Sequence, residues 1–338
     1  FDFDLPGSTH NIRLSDPFFC RTEHSTKVAY AGTGSLSILM DRMVRGDQCK
    51  IFYKPFYTRD DFSDERYSPV FSPTVYPGQE VSLKLYLDQW NGNETPGVAP
   101  YIRTCSDKKD HLQGYIKLVQ HQWIDVTFTI PDTQGDQVDE VGVVLEGYAP
   151  ASWKTLGKVY LDEFTIRGKS AYTIDMSKQR KNFAAITPFS MDHGAWSIQD
   201  GALHLMRNEP SFAYTGNYYA KDYVCGAEVT PLHGTSHLLL GRAQGAKRFY
   251  AAGLDEAGKA VILKNDFGYT TLAECDFAWE EGKSYQMELR MEGDAIVLSI
   301  NGDVVLSAND SSFDHGMFGC GSCRMGRTTF RSFFFRDL

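Results

Sequence analysis

The sequence predicts an all-β chain, two antiparallel β-sandwich (jelly-roll) domains in tandem, covering 1–170 and 171–338. Three observations predict it. Segments of alternating apolar and polar residues recur with breaks about every 8–12 residues, the spacing of sandwich strands. Two turn-favouring pairs, Asp200-Gly201 and Asn301-Gly302, sit between segments that alternate on both sides. No segment sustains a 3.6-residue apolar period, so helices should be few.

In chain order, the first half offers strands at 35–40 (SLSILM), 48–54 (QCKIFYK), 80–88 (EVSLKLYLD), 123–130 (WIDVTFTI), 139–147 (DEVGVVLEG) and 158–166 (KVYLDEFTI). The segment 80–88 alternates most cleanly. Val81, Leu83, Leu85 and Leu87 point one way, and Ser82, Lys84, Tyr86 and Asp88 the other, as in a strand with one buried and one wet face. The charged run 58–69 (TRDDFSDERYSP) reads as a loop, and the polar stretch after Ile166 places a boundary near residue 170. Beyond it the pattern restarts, with hairpins at 195–206 and 294–308 and a closing strand at 328–338. The chain opens FDFDLPG, without Met and as though already within a strand, which is expected of a processed fragment.

Composition bounds the function. The 338 residues carry a formal charge of -9, with Lys and Arg scattered among acids. Nucleic-acid binding needs clustered cations, so that class is excluded. No apolar run reaches the roughly 18 residues of a membrane span. Apolar residues make up 42%, enough for a core, and 30 Gly, 18 Tyr and 22 Phe suit strands and turns. The seven cysteines are an odd count with loose spacing, so reduced thiols and a cytoplasmic setting are expected. An extracellular setting stays open if an export signal once preceded Phe1.

Two sets of residues resemble known families. Phe3-Asp4, Gly34-Ser35-Leu36, Trp123 to Pro131 and Val159 to Gly168 are similar to the opening, strand and closing motifs of carbohydrate-binding modules of the galactose-binding-like jelly-roll type. Trp196 to Leu203, Trp279 with Tyr285, Asn301-Gly302, Gly316 to Gly319 and Phe330 to Phe333 resemble concanavalin-like, laminin-G-like sandwiches of the 3-keto-disaccharide hydrolase type. Such tandems resemble the tails of glycoside hydrolases and of ADP-ribosylglycohydrolase-like proteins. The resemblance implies a non-catalytic, carbohydrate-binding accessory region, with a catalytic domain N-terminal to Phe1 as its partner. It also implies a structural calcium held by Asp162 and Asp4, completed by carbonyls near Thr33 and Gly34. By strand parity Asp162 shares a face with Phe164 and Ile166, so its carboxylate needs a partner. Backbone amides or an arginine would serve as well as calcium.

Sugar sites combine aromatic faces with a few planar hydrogen-bonding groups. Tyr86, Asp88 and Trp90 share the wet parity of one strand, followed by Asn91 and Asn93; Tyr101 pairs with Arg103, and Tyr53 with Tyr57. Together they are expected to line one concave sheet, or else to pack against a neighbouring module. Glu274 and Asp276 lie about 6.6 Å apart along one strand face, and with Glu280 they are the weak candidates for β-sandwich glycosidase chemistry. Their spacing departs from the laminarinase-like Glu-x-Asp-x-x-Glu run, so a solvated strand end is the simpler reading. Cys320-Gly-Ser-Cys323 has redox or zinc spacing, but only His315 stands near as a further ligand. A structural or assembly module and an unrecognised glycosidase are the competing functions.

Overall fold

The computed structural model describes residues 1–15, 20–41, 46–55, 74–92, 94–146, 156–182, 185–192, 195–207, 209–256 and 258–338. Their order is strand after strand, with one short 3-10 turn at Met176–Lys178 and no α-helix among the described residues. No helix there is long and apolar enough to cross a membrane. The charged run 58–69 lies outside the described residues, as do Tyr57 and Asn93.

The chain divides into two compact units, and the division falls between Gly168 and Lys169. The first unit comprises the described parts of Phe1–Pro55, Gly78–Pro131 and Val138–Gly168; the second adds 74–77 and Asp132–Gln137 to Lys169–Leu338. A plain split at 170 misses those two short stretches. Tyr76 belongs with the second unit because its ring stacks on Tyr172 at 4.7 Å. Gly135 belongs there because its carbonyl accepts the Asp175 amide at 3.0 Å.

In the first unit, sheet I runs Arg13–Leu14, Gln48–Tyr53, Val138–Glu146, Gly97–Thr104 and Asp110–Leu112, with Ile116–Lys117 also paired to Gly97–Thr104. Sheet II runs Cys20–Ser25, Ser35–Asp41, Leu156–Arg167, Glu80–Trp90 and Trp123–Thr129. The pairings are antiparallel. Leu36, Ile38, Leu83, Leu85, Leu87, Val126, Val159 and Leu161 of sheet II are buried, opposite Ile51, Val141, Val143 and Leu145 of sheet I. The alternation read from the sequence is what puts them there.

In the second unit, sheet III runs Trp196–Gln199, Ala202–Arg207, Gly326–Asp337, Tyr223–Gly234, Tyr285–Glu292, Ala295–Ile300 and Asp303–Asn309, with Ala171–Ile174 also on Gly326–Asp337. Sheet IV runs Ser190–Asp192, Ser211–Thr215, Met317–Ser322, Ser236–Gly245, Arg248–Asp255, Lys259–Asp266 and Tyr269–Asp276. Their facing sides form one aromatic-rich core, including Phe318, Phe330, Phe333, Phe335, Tyr223 and Tyr250. Both hairpins form around residues in the left-handed region, Asp200 with Gly201 and Asn301 with Gly302. All seven cysteines are free thiols.

Candidate functional site

The register of sheet II places Tyr160, Tyr86 and Trp123 directly opposite one another on three neighbouring strands. All three take the parity that points away from the core. Tyr86 and Trp123 have ring centroids 5.3 Å apart, and Tyr86 and Tyr160 6.3 Å. The row therefore crosses about 10 Å of sheet, two strand spacings. Tyr30, from the loop before Ser35–Asp41, meets Trp123 edge-on at 5.6 Å, and His121 stands 6.4 Å from Tyr86. Tyr160 is buried, Tyr86 and Trp123 are half-buried, and Tyr30 and His121 are exposed.

Cations and acids frame the row. The Lys84 ammonium lies 4.4 Å from the Tyr30 ring centre and pairs with the Asp125 carboxylate, which with Tyr30 holds the lysine above its usual pKa range. Lys158 covers Tyr160 at 5.0 Å. Asp88 and Gln89 continue the same edge. The result is an aromatic surface bordered by hydrogen-bonding groups, the composition that sugar recognition uses.

The other expected ligand residues separate. A bulge at Asp88 lets Gln89 pair with Lys158 and Leu87 with Val159, so the parity flips and Trp90 turns inward. Trp90 is 8% exposed and donates its indole hydrogen to the Glu94 carbonyl at 2.5 Å. Asn91 is a turn residue whose side chain accepts the Leu156 amide at 2.8 Å. Tyr53 follows the core parity of sheet I and packs its ring on Phe1 at 5.2 Å.

Tyr101 and Arg103 share a face, but of sheet I rather than of sheet II. Tyr101 is fully buried, clustered with Phe52 and Val144, and its hydroxyl donates to Glu140 at 3.0 Å. Burial, then the Glu140 charge, pushes that phenol far above its ordinary range. Arg103 reaches Glu140 at 3.3 Å and the Lys108 carbonyl at 3.0 Å, and Asp110 pairs with Lys50. This is an internal charge network, and the aromatics expected from the sequence do not line a single sheet.

The Asp4 and Asp162 corner is built from amides. Asp162 does not share a face with Phe164 and Ile166: Glu163, at φ 50, forms a bulge that turns Asp162 to the outer side beside Lys84. Its oxygens accept the Tyr30, Ala31 and Glu163 amides at 2.8, 3.3 and 2.8 Å. One Asp4 oxygen accepts the Thr33 and Gly34 amides at 2.6 and 3.0 Å, and those bonds, Thr33 foremost, lower its pKa. Gly32 makes this approach possible, since a Cβ there would fall 2.1 Å from an Asp4 oxygen. A calcium cage takes six to eight oxygens, whereas hydrogen donors face these carboxylates. No group of three or more His, Cys, Asp or Glu among the described residues could hold a metal ion. As arranged, amide donors occupy both Asp162 oxygens and one Asp4 oxygen.

Glu274, Asp276 and Glu280 are exposed on an edge strand and the loop after it. Glu274 pairs with Lys259 at 2.9 Å and Glu280 with Lys283 at 3.3 Å, the arrangement of a solvated sheet edge. Cys320 packs into the core between sheets III and IV, while Cys323 belongs to a separate apolar cluster with Leu238 and Phe249. The two thiols are on different faces, and His315 lies with Tyr218 and Tyr219.

Tyr30, Trp123 and Tyr160 were not among the residues expected to bind. The alternation Trp123, Asp125, Thr127 against Val126, Phe128 marks Trp123 as outward, and that signal was available. Its position beside Tyr86 depends on long-range register.

The sequence matches no protein-family model and no curated protein. Among solved structures it is similar to the carbohydrate-binding module CBM66 from Bacillus subtilis, at 20% identity over 43% of this chain and 92% of that one, with a TM-score of 0.41. It is also similar to a Bacillus subtilis protein of unknown function with a galectin-like fold, at 15% identity over 44% and 89%, with a TM-score of 0.37. The CBM22-1 xylan-binding domain of Paenibacillus barcinonensis is similar at 13% identity over 49% and 90%, with a TM-score of 0.33. Likeness at this level settles neither ligand nor activity, and the chemistry has to come from the residues.

Proposed function

We propose that this chain is a non-catalytic carbohydrate-binding region that holds a glycan against Tyr86 and Trp123, the half-buried members of the row, with the buried Tyr160 supporting Tyr86. The observation that carries the reading is the register: three aromatic residues from strands distant in sequence fall side by side, and two of them, Tyr86 and Trp123, are open to solvent. Sugar rings present apolar C–H faces that stack on such rings, while their hydroxyls reach Lys84, Asp88, Gln89, His121 and Asp125. In this reading the chain serves a larger carbohydrate-active protein of the glycoside hydrolase or ADP-ribosylglycohydrolase-like kind. It would keep a catalytic domain close to its substrate and raise effective concentration rather than perform chemistry.

Calorimetric titration with a panel of soluble glycans tests the reading. Binding should appear with at least one glycan, quench tryptophan fluorescence, and weaken about tenfold or more in Trp123→Ala and in Tyr86→Ala. A panel with no heat, or affinity unchanged by Trp123→Ala, rules it out. Calcium enters only if the loop 30–34 turns carbonyl oxygens toward Asp4 and Asp162. A rise in Tm with calcium chloride that Asp162→Asn abolishes would show that it does.

A further inference from the structure

We propose that the second unit carries a sugar site of its own, a cleft that takes a single sugar residue without negative charge; this rests on the carbohydrate-binding reading above. The cleft has a volume of about 300 Å³ and is lined by Lys221, Asp222, Asp294, Ser311, Phe313 and Asp314, with Arg242 beneath. That volume is at the lower end of ligand pockets, room for one small ring rather than a chain.

Arg242 makes the cleft a formed feature. It is 1% exposed and sits at φ 46. Its guanidinium donates to the Gly293 and Phe313 carbonyls at 2.7 and 3.0 Å, to the Lys221 carbonyl at 3.1 and 3.0 Å, and to Asp222 at 3.3 Å. These bonds tie together the three segments that supply the walls. They also direct the arginine's donors into the protein, so it is not presented to an anion. Asp222 in turn accepts the Gly293 amide at 2.8 Å. Among the described residues no hydrogen bond or ion pair engages the Asp294 carboxylate.

Aromatic rings stand beside the cleft. Tyr218 and Tyr219 are 40% and 75% exposed and close to Lys221 in sequence; His315 directly follows Asp314. Tyr219 and His315 stack at 6.2 Å with 19° between planes, and Tyr218 meets both edge-on at 5.3 and 5.2 Å. The turn that carries them is pinned. Asn217 accepts the Tyr219 amide at 2.9 Å through its side chain, and the Ala220 carbonyl accepts the Gly316 amide at 2.9 Å. Two tyrosines held in place yet left in water, next to a polar cleft of one-ring size, form a stacking wall and a set of acceptors.

Charge selects the class. Three carboxylates, Asp222, Asp294 and Asp314, line the cleft with one lysine, Lys221, which lies 3.6 Å from Asp314; the nearby Arg248 guanidinium lies over the Phe313 ring and pairs with Asp266. Carboxylates accept sugar hydroxyls or an ammonium group and repel a uronate. A metal ion is disfavoured as the occupant, because no metal-holding group of side chains gathers among the described residues.

The test uses the full chain and the probes glucose, galactose, fructose, glucosamine and glucuronate, followed by NMR titration of tyrosine and histidine ring signals. The expected result is that a neutral sugar or glucosamine shifts the Tyr219 and His315 signals, and that this survives Trp123→Ala. Tyr219→Ala and Asp294→Asn should each weaken it about tenfold or more, with glucuronate inert. Asp294 lines the cleft and Tyr219 is an exposed neighbour of it, and circular dichroism checks that each variant is folded. Binding that disappears with Trp123→Ala but ignores Tyr219→Ala overturns this site and leaves the first reading standing. Glucuronate binding as tightly as glucosamine, or no probe shifting these signals, also overturns it. Binding that survives Trp123→Ala and fails with Tyr219→Ala keeps this site even if the first-unit row proves inert.

Discussion

Lowering the pH should destabilise the second unit through His237. The ring is fully buried, its Nδ1 is 2.7 Å from the Thr328 hydroxyl, its Nε2 has no hydrogen-bond partner among the described residues, and it meets Trp279 edge-on at 5.2 Å. Burial outweighs the opposing pull of the Gly234 backbone and Glu281 and depresses its pKa from 6.5 to about 4. The unfolded chain therefore takes up a proton near pH 6.5 that the folded chain refuses until near pH 4. The stability this neutral histidine supplies is complete above about pH 6.5 and is lost as the pH falls toward 4. A shift of that size corresponds to about 3 kcal/mol. Urea unfolding followed by circular dichroism, from pH 7.5 to 4, measures it in the native chain and in His237→Leu. The variant loses the bond to Thr328 at every pH, so its curve is offset, but it should lack the extra acid-dependent fall. Parallel curves for the two proteins would refute the reasoning.

Other substitutions test other parts of the structure. Asp162→Ala leaves the Tyr30, Ala31 and Glu163 amides without their acceptor and should cost about 2 kcal/mol, with faster hydrogen exchange at residues 30 and 31 as the readout. Arg242→Met removes the donors for the carbonyls of Lys221, Gly293 and Phe313; a loss of about 3 kcal/mol or more is expected by chemical denaturation. Gly302→Ala forces a side chain into φ 91 at an exposed hairpin and should lower stability by about 1 kcal/mol, measured by thermal unfolding. Glu274→Gln should leave stability and glycan binding unchanged, because the side chain is exposed at a sheet edge.

Strand positions in the first unit were legible because period-two burial is a local property. The segments read at 35–40, 80–88, 123–130 and 158–166 lie within Ser35–Asp41, Glu80–Trp90, Trp123–Thr129 and, extended at both ends, Leu156–Arg167, up to a residue at an end. Gly97–Thr104 was harder to see because Pro100 interrupts its donor pattern. The candidate site was legible only in Tyr86 and Asp88. Trp90 was lost to one bulge, Tyr101 to burial on the other sheet, and the parity of Asp162 to the left-handed residue that follows it.

Alternation and turn chemistry, both properties of a few consecutive residues, were enough to determine an all-β chain and the two hairpins. What tertiary structure alone decided was register. Whether Tyr86 lies beside Trp123 and Tyr160 depends on how strands separated by tens of residues pair, and a single inserted residue reverses every side chain beyond it. The same holds in the second unit, where Arg242 gathers three distant segments around one cleft by bonding to their carbonyls, groups that every residue carries and no sequence pattern marks.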